Sequence, residues 1–247
     1  MTTTFLLIAA AFAAGAMNSV AGGGSFLSFP ALVFAGVPSV TANATNTVAL
    51  FPASLAAAWA YRHDFPQLNG ISPKTVLAIS LVGGAAGALL LILTPERTFD
   101  SLVPWLLLAA TILFAAGKRI TPFLRQYFTI GPVSLCLLQF GIAIYGGYFG
   151  GAMGIMMLAL FGLFGLENIH SMNALKTLLA GMLNAVAVVC FVIAGKVDWQ
   201  PALIMLVSAV VGGYVGAHTA RRMNPEHVRA VVIAIGATMT VLFFLRT

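Results

Sequence analysis

Two short stretches concentrate polar side chains in an otherwise apolar chain. "TANATNT" (Thr41 to Thr47) and "SMNALKT" (Ser171 to Thr177) sit between long hydrophobic runs. They align as Asn43-Ala44-Thr45-Asn46-Thr47 against Asn173-Ala174-Leu175-Lys176-Thr177. Amide and hydroxyl groups donate hydrogen bonds without fixing a charge, and Lys176 adds a cation. The apolar runs that follow, 46–61 and 174–194, read as helices, which places these residues just before or inside two first turns. Free N–H groups and a partial positive charge at a helix start suit a small anion. Simple N-capping, about 1 kcal/mol per helix, is the plainer role and is compatible with it.

Lys176 is the sharpest of these residues. A lysine at a helix centre in a membrane costs about 2.5–3.5 kcal/mol to insert, so it needs a partner or a bound anion. The neighbouring apolar segments hold no carboxylate, and Glu167 lies in the loop before it. Alternatively, Lys176 sits close enough to a helix end to reach the cytoplasmic surface along its stem.

Glycine-rich breaks precede both patches: "AGGGS" (Ala21 to Ser25) and "GGAMG" (Gly150 to Gly154). Such breaks let backbone N–H groups face a solute. Gly23, Gly24 and Gly151 are candidate contacts on that ground, and Ser25 is expected as an N-cap. Close packing of helices through small residues would use the same glycines. Candidate substrate-binding residues are therefore Gly23, Gly24, Ser25, Asn43, Asn46, Thr47, Gly151, Asn173, Lys176 and Thr177. Met153, Met156, Met157 and Met172 with His170 would suit a soft metal, but methionine is also a common packing residue. Gln139, Tyr145, Tyr148, Asn184 and Tyr214 are further polar or amphipathic groups inside apolar segments.

The elements that position these residues follow from composition. The chain of 247 residues is 60% hydrophobic and 7% charged. A soluble domain carries about 25% charged residues, so this chain could not cover its surface with polar groups. Mean hydropathy of +1.01 and repeated apolar runs indicate an all-α polytopic membrane protein. The pI near 9.8 reflects loop Lys and Arg, as membrane topology produces, rather than nucleic-acid binding. Cys136 and Cys190 both fall in apolar segments and read as small packing residues. The apolar start lacks the basic residues of a signal peptide and reads as a retained first membrane helix. Trp59, Trp105 and Trp199 lie toward segment ends, as interfacial anchors do.

Long apolar segments cover 3–21, 46–61, 74–93, 102–117, 131–149, 174–194, 201–219 and 228–245, with shorter ones at 26–37 and 153–165. The sequence also repeats. "NAxxT" recurs at a shift of 130, and "GGAAGA" (Gly83 to Ala88) matches "GGYVGA" (Gly212 to Ala217) at 129. The expected architecture is two repeats, 1–120 and 131–247, joined by a cytoplasmic loop at 121–130. Each repeat is a glycine-broken helical hairpin followed by three transmembrane helices, giving about eight long helices and two short ones. Three crossings after each hairpin invert the second half. The basic residues of 62–74, 118–130 and 220–229, with Lys176, then fall on one side, which the positive-inside rule makes cytoplasmic. Both chain ends would lie on the other side.

The blocks "NSVAGGGSFLSFPALVFAGVPSVTANATNTVAL" and "GGYFGGAMGIMMLALFGLFGLENIHSMNALKTLLAGMLN" resemble the sulfite exporter TauE/SafE family, over nearly the whole chain. The resemblance implies a multi-pass protein of the plasma (inner) membrane that moves small anions outward, such as sulfite or a sulfoacetate-like organosulfonate. With inverted repeats, the expected function is a secondary transporter working by alternating access. An anion uniporter or channel is the alternative, and a soft-metal transporter a lesser one. No enzymatic activity is expected: all six acids fall in loops, and there is no HExxH or GxSxG. No cofactor and no bound metal are expected. Expected partners are a small anionic substrate, the lipid bilayer and a coupling ion (H+ or Na+). A homo-oligomer is compatible with the sequence, and nucleic acid is not expected.

Overall fold

The structure is a computed structural model. It describes the backbone of residues 2–20, 23–127, 129–219 and 225–246. Side chains are described for these except residues 2, 20, 117–126, 217, 219, 225–229 and 246. Gly22 of the first glycine run, and the side chains of Lys118, Arg119, Arg125, Arg221, Arg222, His227 and Arg229, lie outside the described residues.

Every regular element among the described residues is an α-helix. They are α1 (Thr2–Val20), α2 (Ser25–Phe34), α3 (Ser39–Ala60), α4 (Pro73–Leu93), α5 (Glu96–Tyr127), α6 (Pro132–Tyr148), α7 (Met153–Leu163), α8 (Ile169–Ile193), α9 (Trp199–Thr219) and α10 (Pro225–Arg246). Among the described residues, α4, the Glu96–Ala116 part of α5, α8 and the Trp199–Gly216 part of α9 are long and apolar enough to cross a membrane. α2 and α7, with 10 and 11 residues, reach about 15 Å, half of the roughly 30 Å hydrocarbon core. They are the two short segments expected from the sequence. Large apolar side chains face outward on many helices, including Leu93, Leu137, Ile193 and Leu203. So wide an apolar surface suits lipid rather than water. The chain is an all-α polytopic membrane protein.

Three boundaries depart from the apolar runs. α3 begins at Ser39 and α8 at Ile169, each ahead of its polar patch. α5 continues to Tyr127, through most of 121–130. A hydropathy run marks only the apolar part of a helix; a buried polar face extends the helix without extending the run.

The two helices bearing the patches start differently. α8 is capped within its own chain segment: Asn168 Oδ1 accepts from the N–H groups of His170 (2.8 Å) and Ser171 (3.4 Å). α3 follows Pro38, which offers no side-chain cap. Its Val40 N–H instead donates to Glu96 Oε2 at 2.9 Å, from the first turn of α5. One turn further on, Thr45 Oγ1 accepts from the Asp198 N–H at 3.0 Å, at the foot of α9.

The two halves, α1–α5 and α6–α10, pack in matched pairs. α1 lies against α9 as α6 lies against α4, and α3 against α9 as α8 against α4. α3 packs on α8, and α5 on α10. The repeated glycine motif forms two of these seams. A methyl group on Gly83 would come within 2.9 Å of the Phe140 carbonyl oxygen, and one on Gly87 would collide with that of Ile144. In the other half, Gly212 and Gly216 meet the backbone of Phe12 and Ala16 in the same way. Small residues let the helix backbones touch, the main source of packing energy inside a bilayer. The halves share a core in which Phe29 of α2 stacks on Phe243 of α10 and meets Phe99 and Phe149 edge to face.

Candidate functional site

The polar patches meet at a cavity between the halves. From α3 it is lined by Asn46, Thr47, Leu50 and Ser54; from α8 by Lys176, Thr177, Ala180 and Asn184. The second set is the first shifted by 130, so one face of each helix builds the site. Asn18 of α1, Ser25 at the start of α2 and Phe149 just after α6 complete the wall with Gly150, Met153 and Gly154 of the second break. The volume is about 40 Å³. A water needs about 10–15 Å³, so the space suits a few waters or one small ion.

Lys176 is only 2% exposed. It does not reach the membrane surface along its stem. Its Nζ donates to Asn173 Oδ1 at 2.8 Å, a neutral amide one helical turn away. An ammonium has three donors, so two remain for the contents of the cavity it lines. Thr177 Oγ1 is 2.8 Å from the Asn173 carbonyl, and Thr47 Oγ1 makes the matching bond to the Asn43 carbonyl at 2.9 Å. Both hydroxyls donate into their own helices and keep lone pairs free.

Asn46 also lines the cavity. Its Nδ2 lies 3.3 Å from Ser25 Oγ, and its Oδ1 is buried without a partner. Because Ser25 can donate or accept, turning the amide over exchanges the unpartnered acceptor for an unpartnered donor. In either pose one amide atom of Asn46 stays available to a solute.

Asn43 and Asn173 lie behind the lining. Asn43 Nδ2 donates at 2.8 Å to the carbonyl of Tyr148, the last residue of α6. That carbonyl belongs to a helix end, where no partner exists within the helix. Asn43 thus ties the first half to the break in the second, while Asn173 holds the ammonium. All four asparagine and lysine positions are interior to α3 or α8, not at their starts. The expectation that these residues cap or sit at a helix terminus is therefore corrected, and with it the part assigned to free terminal N–H groups.

Ser25 is the first residue of α2, not its N-cap. The N-cap is Gly24, whose N–H donates to Asn18 Oδ1 at 2.9 Å. Gly23, Gly24 and Gly151 lie outside the cavity lining. A methyl on Gly24 would collide with the Ala14 carbonyl, and one on Gly23 would meet Phe114 at 3.0 Å. In the second break, Gly150 (φ +77°) and Ala152 (φ +58°) both adopt left-handed backbone. That conformation costs a non-glycine residue about 1–2 kcal/mol, held here beside Met153 and Gly154 of the wall.

Several residues were not singled out from the sequence. Asn18, Ser54 and Phe149 line the cavity, and Asn184, noted only as a polar group in a span, joins them, as does Gly150 of the second glycine break. Carrying the 130-residue alignment two turns along α3 and α8 would have found Ser54 and Asn184. Gln139 lies elsewhere, its Nε2 donating to Ser80 Oγ at 2.9 Å, and Tyr214 is exposed. Of the methionines and His170, only Met153 lines the cavity. Cys136 and Cys190 are free thiols.

These features define a polytopic membrane protein with a small polar cavity between two similarly built halves. The family model for the sulfite exporter TauE/SafE matches residues 7–243, and the chain belongs to that family of membrane transporters. It is 28% identical over 236 residues to the probable membrane transporter protein YfcA of Escherichia coli K12, covering 95% of this chain and 87% of that one. It is 28% identical over 245 residues to the probable membrane transporter protein ORF9 of a Sinorhizobium species, with 95% and 90% covered. A probable membrane transporter protein of Haemophilus influenzae is 26% identical over 242 residues, with 95% and 92% covered. No solved structure matches the chain.

Proposed function

We propose that this protein is a secondary transporter of the plasma membrane that exports a small anion by alternating access. Sulfite and organosulfonates of the sulfoacetate kind are the proposed substrates, and the substrate contacts are Ser25, Asn46, Thr47, Lys176 and Thr177. The observation that carries this reading is the burial of Lys176 in a cavity to which both halves contribute. A cation removed from water is stabilised by an anion beside it, and hydroxyl and amide groups complete an oxyanion's shell. The fixed positive charge also disfavours a metal cation at the same place, although Met153 is present. Matched packing of the halves, read with the positive-inside distribution of Lys and Arg, supports an inverted repeat that opens to either side in turn.

Flux into and out of liposomes holding the purified protein tests the reading. Sulfite, sulfoacetate, taurine, lactate and divalent metal ions are each offered. Saturable movement of at least one of the anions is the expected result. Saturable movement of metals with none of the anions would overturn it.

A further inference from the structure

Among the described residues lining the cavity, Lys176 alone carries a formal charge. Its protein partner is the neutral Asn173 amide, so the empty site holds about one uncompensated positive charge. The other groups of the wall are amides, hydroxyls, a thioether and apolar side chains. A singly charged anion next to Lys176 makes the filled site neutral. A doubly charged anion leaves a net negative charge in a setting of low dielectric, so both limbs of a cycle would bear the cost of a charge that, with a monoanion, falls on the empty site alone.

Resting on the anion-transport reading above, and narrowing its substrates to singly charged ones (hydrogen sulfite rather than the sulfoacetate dianion), we propose that the transported species is a monoanion, that it crosses as an electroneutral complex with Lys176, and that the empty site returns carrying the positive charge. The balance of one cycle follows. The filled site moves no net charge, the returning empty site moves one positive charge inward, and one negative charge has left the cell. A membrane potential negative inside therefore drives export by itself, with no coupling ion. It acts on the return limb, which draws the positive site inward.

This division of the cycle separates two measurements. Net efflux must pass through the return of the empty site, whereas exchange of anion for anion uses only the filled site. The probe is sulfite in proteoliposomes, at a pH below its second ionisation, with the potential set by potassium and valinomycin. Net efflux should quicken as the inside is made negative. With the anion allowed to equilibrate, about 59 mV should hold a tenfold gradient. Sulfite–sulfite exchange in the same vesicles should not respond to the potential. For Lys176→Gln, with sulfite raised until exchange is measurable, the exchange should become potential-sensitive, because the filled site now carries the anion's charge. Net efflux indifferent to potential, or exchange as sensitive as net efflux, would overturn the inference while leaving anion transport standing. Exchange by Lys176→Gln that ignores the potential would overturn the assignment of the compensating charge to Lys176. If none of the anions moves, both readings fall together.

Discussion

The ammonium of Lys176 has three donors and Asn173 takes one, so the rest of its solvation falls to the cavity. Losing the charge from a buried pair costs about 2–5 kcal/mol, so Lys176→Met should lower apparent anion affinity by about thirtyfold or more. Asn173→Ala keeps the charge but frees its orientation, and should weaken binding by about tenfold, the lower end of what the loss of one charge-assisted hydrogen bond costs. Concentration dependence of flux, at equal amounts of folded protein in the membrane, checks both. These residue types were legible in the sequence because a lysine and paired asparagines are expensive in lipid unless used. Their place in the helix was not legible. Ser39, Thr41 and Asn43 look like a loop by hydropathy, yet they continue α3 because protein, not lipid, surrounds them. The residues that the sequence placed at helix ends stand in helix interiors, so only their side chains are placed to donate.

At the level of elements, two kinds of glycine separate. Gly83, Gly87, Gly212 and Gly216 are contact surfaces; Gly150 is a turn residue with positive φ. Gly87→Leu and Gly212→Leu should both destabilise the protein, each by more than about 3 kcal/mol, because the new side chain would meet backbone that cannot yield. Thermal unfolding in detergent measures this, and the two variants should lie close together since the seams are equivalent. The repeat that the sequence showed at Gly83 and Gly212 thus reports helix packing, while the repeat at Asn43 and Asn173 reports the cavity. Their offsets differ by a single residue, and spacing alone carried no sign of which was which. Short α2 and α7 were legible from length, whereas the run of α5 to Tyr127 was hidden by its polar last turns. Ala152, the one non-glycine described with positive φ, had no sequence signal at all.

For the molecule as a whole, similarly built halves carry unlike ties at the site. The start of α8 is closed by its own Asn168, a local cap. The start of α3 is closed by Glu96 of α5, and its Thr45 receives the N–H of Asp198 at the foot of α9. Glu96→Gln keeps the shape but removes the charge from that bond, and should lower stability by about 1 kcal/mol. Hydrogen exchange should show faster opening at Val40 and its neighbours in this variant, with α8 unaffected. A tie within one segment travels with that segment; a tie across elements has to break or carry its neighbour along. The ties are therefore unlike: the start of α3 is held by hydrogen bonds to α5 and to the residue before α9, that of α8 by its own segment. Two halves built on one plan differ in this way in where the helix bearing each polar patch finds the partner for an N–H group of its first turn.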